Sequence, residues 1–197
     1  MEHIMHTHTH AQSKTGAFGT TIISALFALV MLGALTSCTH VKESSFTTTV
    51  YLVRHAEKIT TPDIGPNPEL TEAGAERAKI LAGILADKGI TRVHSSDFLR
   101  TKNTAGPLAT KLGLEVETYD PYDMSVIIAQ IKKQGGTHLL VGHSNTTPEA
   151  VIRLGGKTQP EINEANEYDR LYTVTIAKGG SVQTELMRYG ALYVAED

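Results

Sequence analysis

Cysteine is almost absent from this sequence: Cys38 is the only one in 197 residues. A lone cysteine excludes an intrachain disulfide and a cysteine-rich metal site. Net positive charge is missing as well. Lys and Arg number 18 against 21 Asp and Glu, a formal net charge of −3, so nothing in the balance points to nucleic acid as a partner. An anionic ligand must then be held by a local cluster of Arg, Lys and His. One stretch lacks charge altogether, with no Asp, Glu, Lys or Arg between Thr15 and Val41. Beyond it no low-complexity tract occurs, and the length suits one ordinary domain plus a targeting segment.

The uncharged stretch has an apolar centre, Thr21 to Leu32, and runs into Leu35-Thr36-Ser37-Cys38. A Leu and two small residues before a cysteine resemble the lipobox of bacterial lipoproteins, in which the cysteine is lipidated. Three readings compete: a cleaved leader with lipidated Cys38, an uncleaved single-span anchor, and a buried core helix. The first leads, because the only cysteine lies just past the apolar run. The expected organisation is a lipoprotein signal peptide over 1–37, a lipidated Cys38 and polar tether over 38–46, and a catalytic domain over 47–197. The protein would then be exported and held at a cell membrane or outer membrane by lipid on Cys38. His6, His8 and His10 form a metal-binding pattern, but they precede the apolar run and would be discarded with the leader.

The domain alternates strands and helices. Thr48 to Val53 reads as a strand buried on both faces, and Ile59 to Glu69, with three prolines and a glycine, as a loop. Thr71 caps a helix to about Lys88, closed by left-handed Gly89. Strand Thr91–Ser95 and helix Asp97–Leu112 follow, with Gly106-Pro107 expected to kink or split that helix. Next come strand Leu114–Tyr119, helix Met124–Gln134 and strand His138–Val141. A helix then opens with Thr147 as cap, Pro148 at its first position and Glu149 near its positive end. It stops at Gly155-Gly156. Leu171–Ile176 and Val182–Met187 form a hairpin around Lys178-Gly179-Gly180. This order implies a three-layer α/β sandwich with a mostly parallel central sheet and helices on both faces. Ligands bind such sheets at the carboxyl ends of the strands.

Three strand ends carry unusual polar residues. The first runs into Arg54-His55-Ala56-Glu57-Lys58. The second ends in Ser95-Ser96-Asp97, with Arg100 and Thr104 one turn apart beyond it. The fourth ends in Gly142-His143-Ser144-Asn145 before a helix N-terminus. Two Arg and two His at one point suit a tetrahedral dianion, since the Arg fork matches two phosphate oxygens and helix amides add donors. An unprotonated histidine is a nucleophile, and nearby Arg charges keep it unprotonated. Phosphate gripped by Arg54 and Arg100 and attacked by His55 is the chemistry this pattern supports. His94 and His138 sit within strands and are expected to be structural.

These segments, Val53-Arg54-His55-Ala56-Glu57, Ser95 to Ala105, and Val141-Gly142-His143-Ser144-Asn145, resemble the ordered motifs of the histidine phosphatase superfamily, also called phosphoglycerate mutase-like. The helix opening Leu70-Thr71-Glu72-Ala73-Gly74 is similar too. The resemblance implies that His55 becomes phosphohistidine, that Arg54 and Arg100 bind phosphate, and that His143 stabilises the transferring group. It implies a phosphate contact from Asn145, a small phosphorylated substrate, and no metal or organic cofactor. The sequence departs from the family at Ala56, where Gly is commonest. It departs again at Ser144, where the acid phosphatase branch carries its proton donor. The mutase branch uses a Glu after the third strand; Asp120 and Asp123 lie nearest that place, and Asp120 ranks first as the acid. The implied function is a phosphomonoesterase. The alternatives are mutase-like phosphotransfer, a phosphohistidine phosphatase, or a non-catalytic lipoprotein that binds phosphate or a protein.

Overall fold

The structure is a computed structural model and describes residues 47–157 and 159–195. The expected signal peptide, Cys38 and the tether lie outside the described residues. The elements are β1 (Thr48–Arg54), α1 (Glu72–Leu85), β2 (Arg92–Ser96), α2 (Leu99–Leu112), β3 (Val116–Tyr119), α3 (Met124–Gln134), β4 (Gly136–Gly142), α4 (Thr146–Arg153), β5 (Arg170–Ile176) and β6 (Val182–Arg188).

They build one six-stranded sheet in the order β3-β2-β4-β1-β5-β6. The first four strands pair in parallel, and β5 and β6 extend the sheet antiparallel to their neighbours. Apolar side chains alternate along the central strands and feed two cores. Val50, Leu52, Leu140, Tyr172 and Val174 pack with Ile127, Ile131 and Val151 of α3 and α4. Val53, Leu139, Val141 and Leu171 pack with Leu81, Leu85, Ala105 and Leu108 of α1 and α2. Each fully buried Leu or Val contributes about 2 kcal/mol by leaving water, and both faces must be covered for the parallel strands to be stable. The expected three-layer arrangement is therefore the one observed. Among the described residues no helix is long and apolar enough to cross a membrane.

Some boundaries differ from the sequence expectation. Helix α1 ends at Leu85, three residues early, and a turn closed by Lys88 N–H on the Leu85 carbonyl (3.1 Å) leads to Gly89 at φ +67°. Pro107 neither splits nor ends α2. It removes only its own N–H, and Asn103 one turn earlier is exposed, so water can satisfy the freed carbonyl. Thr147 does not cap α4. The helix starts at Thr146 with Asn145 as cap. The Thr147 hydroxyl donates to the Val53 carbonyl (3.2 Å), and Thr146 Oγ1 accepts from His143 N–H (2.9 Å). Both hydroxyls thus tie the helix to the strand ends.

The start of α1 fixes the segment after β1. Thr71 accepts from Gly74 N–H (3.0 Å) as a cap, and its own N–H donates to the Glu57 carbonyl (2.9 Å). Glu57 takes Arg77 in a fork, from Nε at 2.9 Å and Nη2 at 2.8 Å. The same guanidinium donates to the carbonyls of Tyr189 (2.6 Å) and Ala191 (2.8 Å). Gly74 lies so close that a Cβ would sit 2.3 Å from the Glu57 carbonyl oxygen. Gly74→Ala should therefore destabilise the protein by about 2 kcal/mol. Thermal melting of the variant checks this; unchanged melting would show that the Glu57 backbone can move freely.

Candidate active site

Strands β2, β4 and β1 are adjacent, with β4 in the middle, and their carboxyl ends are level: Arg54 pairs with Gly142 and Ser95 with Val141. The three polar strand ends therefore converge at one edge of the sheet. His55 N–H donates to the Gly142 carbonyl (2.9 Å), and Ala56 N–H donates to Thr104 Oγ1 (2.9 Å), so backbone bonds hold the turn that carries His55.

His55 is buried, and its Nδ1 lies 2.8 Å from the Ala56 carbonyl. A carbonyl only accepts, so Nδ1 carries the proton and Nε2 keeps its lone pair. The His143 ring stands edge-on to it at 5.5 Å between centroids. His143 Nε2 lies 2.9 Å from Ser96 Oγ. The Ser96 hydroxyl donates to Thr101 Oγ1 (3.0 Å), whose own hydrogen goes to backbone carbonyls, so Ser96 Oγ accepts from His143 Nε2–H and Nδ1 is the nitrogen open to another partner. Phe98 packs edge-on against His143 at 5.2 Å.

The two arginines differ. Arg54 is fully buried and spends three N–H groups on one segment of chain. Nη1 donates to the carbonyls of Asn163 (3.0 Å) and Glu167 (3.0 Å), and Nη2 to that of Glu164 (2.6 Å). Its guanidinium also stacks on Tyr168, 4.1 Å from the ring centroid. Its Nε is buried and makes no hydrogen bond among the described residues. Arg100 leaves both Nε and Nη1 buried and unbonded, with its guanidinium 4.4 Å from the Phe98 ring centroid. Buried charged donors without partners are costly, and these three lie where two cations meet two imidazoles. Such an arrangement fits a multivalent oxyanion. A cavity of about 400 Å³ opens over it, lined by His55, Arg100, His143, Lys58, Asn145 and Glu164 among others.

Burial pushes His55 down to about 2. The Ala56 carbonyl works the other way, and the charges of Arg54, His143 and Arg100 add to the lowering. Burial, then Arg100, Arg54 and Lys58, push His143 down to about 4. Both rings are neutral at pH 7, as a nucleophile requires. Burial also lowers Arg54 and Arg100, which stay cationic because arginine starts so high.

His94 and His138 are structural, as expected. His138 Nε2–H donates to the Gly135 carbonyl (2.9 Å), and its bare Nδ1 accepts from His94 Nε2–H (2.9 Å). Burial and then His138 push His94 down to about 4. An unfolded histidine titrates near 6.5. Below that pH the unfolded chain binds protons that the native histidines refuse, so the stability present above 6.5 is lost as pH falls. The melting temperature should fall steadily between pH 7 and pH 5, with His55 and His94 each costing ~2 kcal/mol at pH 5. A flat profile over that range would show that these rings take up protons in the native state as readily as in the unfolded chain.

Residues 50–121 match the family model of the histidine phosphatase superfamily, branch 1. The match covers Arg54, His55 and Arg100 and ends before His143. No curated protein sequence matches the chain. Solved structures share the fold. The protein histidine phosphatase SixA, complexed with tungstate, is 21% identical with a TM-score of 0.60, over 72% of this chain and 97% of that one. A phosphoglycerate mutase from Bacillus anthracis is 18% identical with a TM-score of 0.55, over 74% and 94%. A mycobacterial glucosyl-3-phosphoglycerate phosphatase is 14% identical with a TM-score of 0.51, over 74% and 99%. The chain thus has the phosphoglycerate mutase-like fold.

Four of the expected site residues line the cavity, His55, His143, Arg100 and Asn145, and Arg54 lies buried beside His55 on the carbonyls of 163–167. Asn145 lines the cavity as the cap residue of α4, and its side chain makes no capping bond. Asp120 does not join them. It is exposed, accepts from Tyr122 N–H (2.8 Å), and lines an adjoining hollow with Asp97 and Thr118, divided from the cavity by Phe98, Pro121 and Tyr122. Its neighbours Pro121 and Tyr122 reach the His55 cavity instead. Asp123 is spent on capping α3 through Ser125 N–H (3.0 Å). Among the described residues the one carboxyl side chain that lines the cavity is Glu164, which spacing did not single out. Ser96 as the partner of His143 and the 163–167 carbonyls were equally invisible. They meet the motifs only across the fold, and no local pattern marks them. Among the described residues no cluster of three or more His, Cys, Asp or Glu is placed to hold a metal ion.

Proposed function

We propose that this protein is a histidine-type phosphomonoesterase, exported and anchored through lipid on Cys38. The observation that carries the catalytic reading is the state of His55. Nδ1–H is fixed on the Ala56 carbonyl and Nε2 is bare, beside buried, unbonded donors of Arg54 and Arg100.

The reaction has two steps. The Nε2 lone pair attacks phosphorus, a P–N bond forms, and the bond to the leaving oxygen breaks with its electrons. That oxygen then takes a proton. Arg54 and Arg100 hold the equatorial oxygens as charge shifts, and His143 joins them once the phosphoryl charge favours its protonation, donating Nδ1–H while Nε2–H stays on Ser96, so the three stabilise the transition state more than the ground state. Water next attacks phosphorus, loses a proton, and the P–N bond breaks, returning bare Nε2 and inorganic phosphate. A neutral His55 is ready for each cycle, because the same burial that lowers its basicity keeps it unprotonated.

The detergent-solubilised full chain should release phosphate from 4-nitrophenyl phosphate. No release at any pH between 5 and 9 would favour the non-catalytic reading. The anchor is tested separately: Cys38→Ala should yield a protein that no longer incorporates labelled lipid and no longer sediments with membranes. Membrane attachment unchanged by that substitution would point to the uncleaved apolar span.

A further inference from the structure

Beside the His55 cavity lies a larger groove of about 1070 Å³, between α4 and the segment from Gln159 to Glu164. The two spaces share Ser144, Asn145 and Glu164 in their walls, so anything esterified to a phosphate on Arg54 and Arg100 has this groove beside it. Its apolar wall is Pro148, Ile152 and Ile162. Ile152 is 49% exposed, a large side chain left open to solvent on a helix.

The charge of the groove opposes that of the cavity. Its one cation among the described residues is Arg153, already tied to Glu149 at 2.7 Å. Glu161 and Glu164 make no ion pair among the described residues. The cations, Lys58, Arg100 and buried Arg54, all belong to the phosphate end. A bound monoester would therefore have its dianion in a positive pocket and its organic part along an apolar wall facing two carboxylates.

Resting on the phosphomonoesterase reading, we infer that this groove is the leaving-group subsite and selects phosphate monoesters whose organic part is bulky, partly apolar, and uncharged or cationic. A substrate with a second acid group, such as a carboxylate on the leaving alcohol, meets Glu161 along the groove and Glu164 at its junction with the cavity, where Arg100 is already shared between Glu164 and the phosphate. Like charges juxtaposed at an interface suppress wrong partners. The volume matches an organic group of drug-like size, far larger than a short-chain acid needs.

The test is a binding pair that needs no turnover. 4-(Trimethylammonio)benzylphosphonate and 4-carboxybenzylphosphonate share the benzylphosphonate and carry opposite distal charges. Calorimetry on the solubilised full chain should show the cationic compound binding about tenfold tighter or more. Glu161→Lys should narrow or invert that ratio while leaving the affinity for inorganic phosphate unchanged. The Glu161 carboxyl has no partner to lose, and its carbonyl would still accept from Arg170 (2.9 Å). Equal affinities for the two phosphonates, failure of both to bind, or a ratio indifferent to Glu161→Lys would overturn the assignment. A discriminating groove on a protein that forms no phosphoenzyme would overturn the catalytic reading alone. A phosphoenzyme with no discrimination would overturn the groove alone.

Discussion

Replacing His55 with Ala should lower phosphatase activity at least ~10³-fold, because it removes the atom that forms the covalent bond. The loss should fall on kcat, with little change in affinity for inorganic phosphate, since the two arginines remain. Stability should not suffer and should gain below pH 6.5, because a buried histidine that resists protonation costs folding free energy there. His55→Asn offers the same test with nearer shape. Wild-type turnover in either variant would place the nucleophile elsewhere.

The second large effect is expected at Arg54, and its form separates the two arginines. Arg54→Ala should lower kcat/KM by ~10²–10⁴-fold, as removal of a charged oxyanion ligand does. It should also destabilise the protein by about 3 kcal/mol or more, because the carbonyls of Asn163, Glu164 and Glu167 lose their donors and Tyr168 loses its stacked cation. Lys is no rescue, since an ammonium cannot reach three carbonyls and an anion at once. Arg100→Ala should lose activity comparably but keep or gain stability, because its buried Nε and Nη1 make no hydrogen bond among the described residues. Inorganic phosphate should raise the melting temperature of the wild type and do so far less for Arg100→Ala. Equal stability losses in the two variants would contradict the division of labour between them.

The strands and the three motifs were legible because they are local. A run of β-branched residues, a capping Thr before Glu72, and Arg-His at a strand end each declare themselves within a few positions. The sheet order could not be read that way, yet it is what places β4 between β1 and β2 and brings His55, Arg100 and His143 together. Thr147 misled because the cap rule is local, whereas its hydroxyl is used across the fold on Val53. Asp120 misled for a similar reason. Its neighbours Pro121 and Tyr122 face the cavity, and the turn aims its own carboxylate back at Tyr122 N–H. Glu164 and Tyr168 stand more than a hundred residues after Arg54. Only the closed fold shows that the 163–168 segment is held by Arg54 and roofs the site.

The most direct measurement is rapid acid-free quenching of the enzyme during turnover, followed by peptide mapping for bound phosphate. Phosphate that is acid-labile and base-stable, on the peptide carrying His55 and absent from His55→Ala, is the expected result. Steady turnover with no phosphate on that peptide, or phosphate carried by a different residue, would contradict covalent catalysis by His55.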